Sequence, residues 1–594
     1  MSKNRGVILV IVLIVITILS LSVLAYSRFM LSEKRGVNQS LRQRQVRLIA
    51  ESGVEYLRFF LMNDDTTITE YGGIYDNENE FCGHIVTDGS IAMNGSDAGL
   101  SVRTQFANDP MNIGRFSIVV PRISAEGYLA GDDFRYGLED ESSKLNLRWL
   151  IQIDQIYPGL GRNILLQLPG MTEEIADSIL DWCDEDSEPR EYGAEDEYYA
   201  ALEPPYYTQN KIPDSIDELL LVKGITPKLL YGVDWNRNGI LDEGEPDESV
   251  LSELNIETGE LPLGLVSLLT LDSRESNRSP NGEAKININQ EDIEDLRTQL
   301  ESRLSDQTWV DYIIAIREQS SGGTENVSNS SGAAASSNSS SGSGSGSGSG
   351  SSSTATIKSL LELIQPTSSN TGTVSSNSGN VNSSSGGSGT GSSSNSNSSS
   401  AGSNSSNSAS GSNSAGSIVS PFSTDPTEMA KYLPELYDNL TVSDTPPIGR
   451  ININQASRPV LEIFLNQKNI GETTDSETVL QLSDIIDEII SARESDMTKI
   501  PEDDMKYPFW IYTHGIVTDF ELLKRLEPYF CTQGAVFRAN VIGRFDEKSP
   551  AVRLEVWLDA SEIDKPAKII RIRELTELGP GFNAESLGVT EYAK

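Results

Sequence analysis

Histidine and cysteine are scarce in this chain of 594 residues. It has two histidines, His84 and His514, and three cysteines, Cys82, Cys183 and Cys531. A zinc centre or a histidine-based catalytic triad therefore lacks its usual residues. The cysteines are odd in number, far apart and never in a CxxC pair, so no disulfide framework or redox motif can be read from them. Positive charge is also short: 46 basic against 87 acidic residues leave a net charge of -41. Such a surface repels phosphate backbones, and no nucleic-acid partner is expected. It suits cations or partners with basic faces, and equally the plain solvation of a protein outside the cytoplasm. Paired acids can also mean glycoside hydrolysis, but no aromatic-lined site accompanies these, and they lie on loops with metal-site spacing. The chain reads as a non-enzyme.

What is present begins at the N-terminus. Residues 7–26 form an apolar run of 20 residues broken only by Thr17, Ser20 and Ser22. As a helix it is about 30 Å long, the thickness of a hydrocarbon core. Lys3 and Arg5 precede it and would hold the N-terminus in the cytoplasm. The run is long for the apolar region of a signal peptide, and no small-x-small cleavage site follows it. A simple anchor fits the run alone. Residues 27–62 contain no proline and place Val46, Ile49, Ala50, Gly53, Val54 and Leu57 at helical intervals, with Arg42, Arg44, Arg47, Glu51 and Glu55 between them. The pattern predicts one continuous helix of about 55 residues, apolar and then amphipathic.

The pattern then changes to strands. They are predicted at 115–120 and 134–138, then near the C-terminus at 536–545, 551–558 and 568–573; 551–558 alternates with period two, as a half-buried strand should. Two strand groups so far apart imply one small antiparallel sheet with everything from about 141 to 530 inserted between them. The insert repeats itself: Lys144-Leu145-Asn146-Leu147, Lys285-Ile286-Asn287-Ile288-Asn289 and Arg450-Ile451-Asn452-Ile453-Asn454 each precede a helical pattern. In the first unit Leu168-Pro169-Gly170-Met171-Thr172 predicts a helix-hairpin-helix, with Pro-Gly as the turn and Thr172 as a cap. A further helix opens at Ser215. Residues 320–417 are dominated by Ser, Gly and Asn, a composition that reads as a linker. A short island at 357–364 interrupts it and resembles the segment 215–219. It is expected to pack back as the missing helix of the second unit, the alternative being a transient helix. The predicted fold class is α+β, organised as 1–6, 7–62, 63–140, 141–319, 320–417 with its helix at 357–364, 418–530 and 531–594.

Two acidic stretches carry chemistry. Residues 234–245 fit the calcium-loop pattern D-x-N-x-N-G with an acid at the twelfth position. Asp234, Asn236 and Asn238 would supply side-chain oxygens and Gly239 the sharp turn. Ile240 would add a carbonyl, Asp242 a water-mediated contact and Glu245 a bidentate carboxylate. An acidic turn that binds nothing has the same composition. The second stretch, 181–196, crowds carboxylates that repel unless neutralised, and by composition it is a solvated loop.

Lys3-Asn4-Arg5-Gly6 ahead of an apolar helix resembles the leader of type IV prepilins and pseudopilins. Together with the inserted helical region, it makes the chain similar to the minor pseudopilin K family of bacterial type II secretion systems. The resemblance covers most of the chain except the Ser-rich linker. It implies that prepilin peptidase cuts after Gly6, leaving Val7 as the processed N-terminus. Most relatives carry a glutamate at the fifth processed position, which pairs with a neighbouring subunit's amine. Here Ile11 stands there, a departure that characterises the K subunit at the filament tip, where an unpaired membrane glutamate would only cost energy. The family has a similar D-W-x-D-x-D stretch associated with calcium. This makes Asp181, Asp184, Asp186, Glu188, Glu195 and Asp196 candidate ligands, with the coordinating subset left open. The implied partners are the I- and J-type minor pseudopilins, the major pseudopilin and prepilin peptidase. The implied location is the inner membrane, spanned once, with the bulk of the chain in the periplasm. The rivals are a competence-type DNA-binding protein, because helix-hairpin-helix units occur there, and a type IV pilus minor pilin.

Overall fold

A computed structural model of the chain describes residues 4–87, 90–92, 113–240, 245, 261–262, 264–321, 356–364, 420–465, 476–494, 500–501, 503–545, 549–562 and 564–588. The apolar and amphipathic stretches form a single helix, α1 (Asn4–Phe60), of 57 residues. From Leu9 to Leu31 its large apolar side chains stand exposed on every side. By length and hydropathy this half is able to cross a membrane. The other half lies on protein. Val46, Ala50 and Leu57, spaced to share one face, are fully buried. They pack with Phe116, Val541, Leu554 and Val556 in one core. Gly53 sits on the same face, where a Cβ would lie 2.9 Å from the Phe116 ring, so bare backbone permits the close approach.

The surface under α1 is an antiparallel sheet. Its main strands are β1 (His84–Thr87), β2 (Ser90–Ala92), β3 (Gly114–Ile123), β4 (Tyr128–Tyr136), β5 (Val536–Arg544), β6 (Val552–Asp559) and β7 (Lys568–Glu574). The spatial order is β7-β6-β5-β3-β1-β2, and β4 also pairs with β3. The two distant strand groups therefore meet at the β3–β5 seam, where Val119 faces Asn540 and Phe116 faces Gly543. With Glu139–Asp140 and Leu261–Pro262 the sheet has nine strands among the described residues, against five predicted. Chain order and helix content agree with an α+β class.

One expectation fails. β6 alternates as predicted, but it is buried along its whole length and not on one face only. Val552, Leu554, Val556 and Leu558 face α1. The alternate residues lie under the inserted region, in a layer of ion pairs. Arg538 reaches Glu139 at 2.5 Å and Glu555 at 3.5 Å; Lys144 reaches Glu139 at 3.0 Å and Glu141 at 2.8 Å. Arg573 binds both Glu555 and Asp217, the latter from the insert. Charges alternating along a strand look solvent-facing, and here each is paired instead, as burial requires.

Between the strand groups lies a helical region with its own core. Three two-residue parallel ladders punctuate it. Leu145-Asn146 pairs with Leu269-Thr270, Ile286-Asn287 with Leu440-Thr441, and Ile451-Asn452 with Phe530-Cys531. The repeated asparagine has a local reason. Its side chain turns the chain out of the strand: Asn146 Oδ1 accepts from Trp149 N at 3.1 Å, Asn287 Oδ1 from Asn289 N at 2.9 Å, and Asn452 Oδ1 from Asn454 N at 2.9 Å. The first unit contains α2 (Leu147–Ile156), α3 (Leu160–Leu165) and α4 (Glu173–Cys183). Thr172 caps α4 by accepting from Ile175 N at 3.3 Å.

The segments at Ser215 and Ser359 are 3₁₀ turns and not the α-helices expected. They span Ile216–Leu221 and Leu360–Leu363, each capped by its serine. The second of these, the island, is buried in the helical core through Leu360, Leu361, Leu363 and Ile364. Asn289 clamps it, donating to Ile357 O at 2.7 Å and accepting from Ile357 N at 3.0 Å. The linker on either side, 322–355 and 365–419, lies outside the described residues.

Candidate functional site

The end of α4 and the turn after it organise the first acidic stretch. Asp181 is buried, and Arg190 reaches it from Nη1 at 2.8 Å and from its backbone N at 3.2 Å. The same guanidinium holds Asp184 Oδ2 at 2.6 Å and Asp154 at 3.3 Å. Asp196 is engaged elsewhere, accepting from Thr208 N at 2.9 Å and Thr208 Oγ1 at 2.7 Å. Glu188 meets the group through its backbone, which donates to Asp186 Oδ1 at 2.8 Å. What converges is Asp184, Asp186 and Glu195, each offering a carboxylate oxygen within 4.8 Å of the others.

Two of these groups have spare oxygens. Asp184 Oδ1 and Glu195 Oε1 are buried and make no hydrogen bond. Burial, and then the neighbouring Asp181, Asp184 and Asp186, push the Glu195 carboxyl from about 4.5 up to about 7. Burial likewise raises Asp184, against the pull of Arg190. Crowded carboxylates with unsatisfied buried oxygens fit a hard cation, which binds oxygens at about 2.3–2.6 Å. Two residues outside the acidic run join the site. Thr208 Oγ1 donates to Glu195 Oε2 at 3.3 Å, and Asn210 Nδ2 donates to the Asp186 carbonyl at 2.5 Å while its Oδ1 is buried without a partner. Nothing in the local pattern of 181–196 marks either of them. Trp182, two residues before Asp184, is buried in the core, packed edge-on to Tyr199 at 5.2 Å, with its Nε1 donating to Glu218 at 3.2 Å.

In the second stretch the described residues 234–240 form a tight turn. Asp234 Oδ1 accepts from Asn238 N at 3.1 Å and Oδ2 from Gly239 N at 2.8 Å. Asn236 Oδ1 accepts from Asn238 N at 3.0 Å, and Asn238 Oδ1 from Ile240 N at 2.8 Å. Glu245 returns to the start of the loop, where its Oε1 accepts from Asn236 N at 3.2 Å. Gly239 has φ +74, and a Cβ there would collide with Pro121 of β3. Asp234, Asn238 and Glu245 are buried. Burial raises the Asp234 carboxyl, against the Gly239 and Asn238 amides. Asp242 lies outside the described residues. Sequence reasoning also missed Arg553, far away on β6, which donates to Asn236 O at 2.8 Å.

Gly6 and Val7 fall in the first turns of α1, more than thirty residues from any part of the sheet that α1 covers.

Residues 143–233 match a family model described as type II secretion system (T2SS), protein K. The match contains Asp184, Asp186 and Glu195 and stops one residue short of Asp234. The type II secretion system protein K of Pseudomonas aeruginosa is 30% identical over 149 residues, which is 24% of this chain and 42% of that protein. That of Aeromonas hydrophila is 46% identical over 57 residues, 9% of this chain and 17% of its own length. The putative type II secretion system protein K of Escherichia coli strain K12 is 32% identical over 110 residues, 17% of this chain and 33% of that protein. The matched stretch thus spans less than half the length of each of these relatives. The family model and relatives of one description thus agree that the unit carrying the acidic triad is similar to type II secretion system protein K.

Proposed function

We propose that this chain is a minor pseudopilin that works as a structural part of a type II secretion apparatus. The observation that carries the reading is the division of α1. One half is an exposed apolar rod, and the other is the spine of a sheet assembled from both ends of the chain. A subunit built this way stands in a bilayer by the first half and presents a folded body beyond it. The body would lie in the periplasm and the anchor in the inner membrane. Ile11, where most type IV pilins and pseudopilins carry glutamate, favours the tip of the filament, since a subunit with nothing above it has no amine to neutralise. The proposed partners are the I- and J-type minor pseudopilins and the major pseudopilin beneath. Prepilin peptidase would process the chain between Gly6 and Val7.

Calcium is the proposed ligand of both acidic loops, on the strength of the spare buried oxygens of Asp184 and Glu195 and of the turn at 234–240 to which Glu245 returns. It would neutralise charge and hold the first unit in shape. The hairpin of α3 and α4 is proposed as a helix-hairpin-helix used for packing. Its second helix begins with Glu173 and Glu174, which a phosphate would avoid. Neither the DNA-binding nor the type IV minor pilin alternative gains support. Intact mass of the protein purified from its membrane tests the reading. Loss of residues 1–6 is expected, and retention of them would count against a pseudopilin.

A further inference from the structure

A cation precedes each of the three ladders of the helical region: Lys144, Lys285 and Arg450. Two of them sit between a pair of carboxylates. Lys144 reaches Glu139 at 3.0 Å and Glu141 at 2.8 Å, and Arg450 reaches Glu275 at 3.0 Å and Glu527 at 3.1 Å. The middle cation has no such pair. Among the described residues the Lys285 ammonium makes neither a hydrogen bond nor an ion pair. The acids that act on it are committed elsewhere: Glu275 to Arg450, Asp438 to the Tyr507 hydroxyl at 2.9 Å, and Asp65 to Arg278 at 3.8 Å. Burial accordingly pushes the Lys285 ammonium below the usual lysine range, against the pull of those acids.

Lys285 lines a cavity of about 140 Å³ enclosed by the residues that follow α1, the helical region and the approach to β5. Arg278 and Lys506 line it as well, and Lys506 also makes no ion pair among the described residues. On the same wall the Ser276 hydroxyl is buried without a hydrogen-bond partner. The cavity therefore offers an unpaired ammonium and an idle donor, while its own carboxylates are already engaged. Cavities of roughly 150 Å³ hold a molecule the size of benzene, so a carboxylate on a short carbon stem fits the space.

We propose that this cavity is a carboxylate-binding site, in which a ligand supplies Lys285 with the charge that Glu139 and Glu141 give Lys144 and that Glu275 and Glu527 give Arg450. The carboxylate belongs to a small organic acid or to the side chain of an acidic peptide segment. Either one would add a charged contact at the seam between the sheet and the helical region.

The test is competitive acetylation of the full chain in detergent by a succinimidyl acetate, read lysine by lysine with peptide mass spectrometry. Propionate, which copies the end of a glutamate side chain, is the probe. Only a neutral amine reacts, and a carboxylate at hydrogen-bond distance raises an ammonium's pKa by about one unit or more. Propionate should therefore slow acetylation of Lys285 by roughly tenfold. Lys431 and Lys565, paired at the surface with Glu428 at 2.8 Å and Glu562 at 2.6 Å, should react at an unchanged rate. Chloride and phosphate at equal ionic strength are the controls. A short glutamyl peptide and its glutamine twin separate the two sources. Protection by propionate alone assigns a small acid, and stronger protection by the glutamyl peptide than by propionate assigns an acidic segment. Lys285→Met keeps the stem without the charge, so it should abolish the rise in melting temperature that propionate gives the unaltered chain. Three results would each overturn the site: Lys285 acetylation unchanged at tens of millimolar propionate, equal slowing by chloride or phosphate, or equal stabilisation of Lys285→Met by propionate.

Discussion

At the scale of single residues, the first acidic group is a set of charges that the protein alone does not neutralise. Arg190 spends its hydrogen bonds on Asp181, Asp184 and Asp154, and Glu195 receives only Thr208. A buried carboxylate in that position costs free energy, which is why Glu195 holds its proton up to about pH 7. A cation reverses the sign of the contribution. The variant Glu195→Gln is therefore predicted to have two opposite effects. In chelator at pH 8, above the point where Glu195 loses its proton, it should melt a few degrees higher than the unaltered chain, because a buried charge is gone. In calcium it should melt lower, because a ligand is gone and binding to the folded state is weaker. Thermal unfolding of both proteins in the two buffers measures this. Curves that shift together in both buffers would mean that no ion binds at Asp184, Asp186 and Glu195.

At the scale of elements, the close approach of α1 to the sheet depends on Gly53. A side chain there meets Phe116 of β3 and Val541 of β5. Gly53→Leu should cost about 1–3 kcal/mol through overpacking. For Gly53→Ala the clash is smaller and is partly offset by a gain in helix propensity of about 1 kcal/mol. Denaturation of the full chain in detergent should rank unaltered, Ala and then Leu; a Leu variant as stable as the parent would mean that α1 does not rest on β3 and β5. These elements also show what sequence alone can convey. The long helix, the seam between distant strands and the asparagine repeat were legible because each follows a local period or a local turn chemistry. The turn at 234–240 was legible for the same reason, since its Asp and Asn side chains bond amides a few residues on. Burial of both faces of β6 was not legible. Arg553 and Glu555 look like solvent-facing charges until Arg538, Arg573 and the loop arrive from elsewhere to pair with them. Thr208 and Asn210 escaped notice because nothing near them in sequence marks them as neighbours of an acid.

At the scale of the whole molecule, the island 357–364 is a part of the core carried inside a long Ser, Gly and Asn tract. Leu361 is fully buried, and replacing such a leucine by alanine costs about 2–5 kcal/mol. With specific protease sites inserted after Gly350 and after Gly387, double cleavage should leave the excised peptide bound through size-exclusion chromatography, and Leu361→Asp should release it. Dissociation of the unaltered peptide would show that the island is not needed to close the second unit. The seam between β3 and β5 has a consequence of a different kind, concerning time. Val119 and Asn540 are direct partners although more than four hundred residues separate them along the chain. β5 lies between β3 and β6, so until it is made, β3 has an open edge and the buried face of α1 lacks Val541, Leu554 and Val556. The three ladders of the insert have all their residues by Cys531, before β5 begins at Val536. The part of the protein that is anchored first is thus the part that is finished last, and the newborn chain holds its foundation open until its final strands emerge.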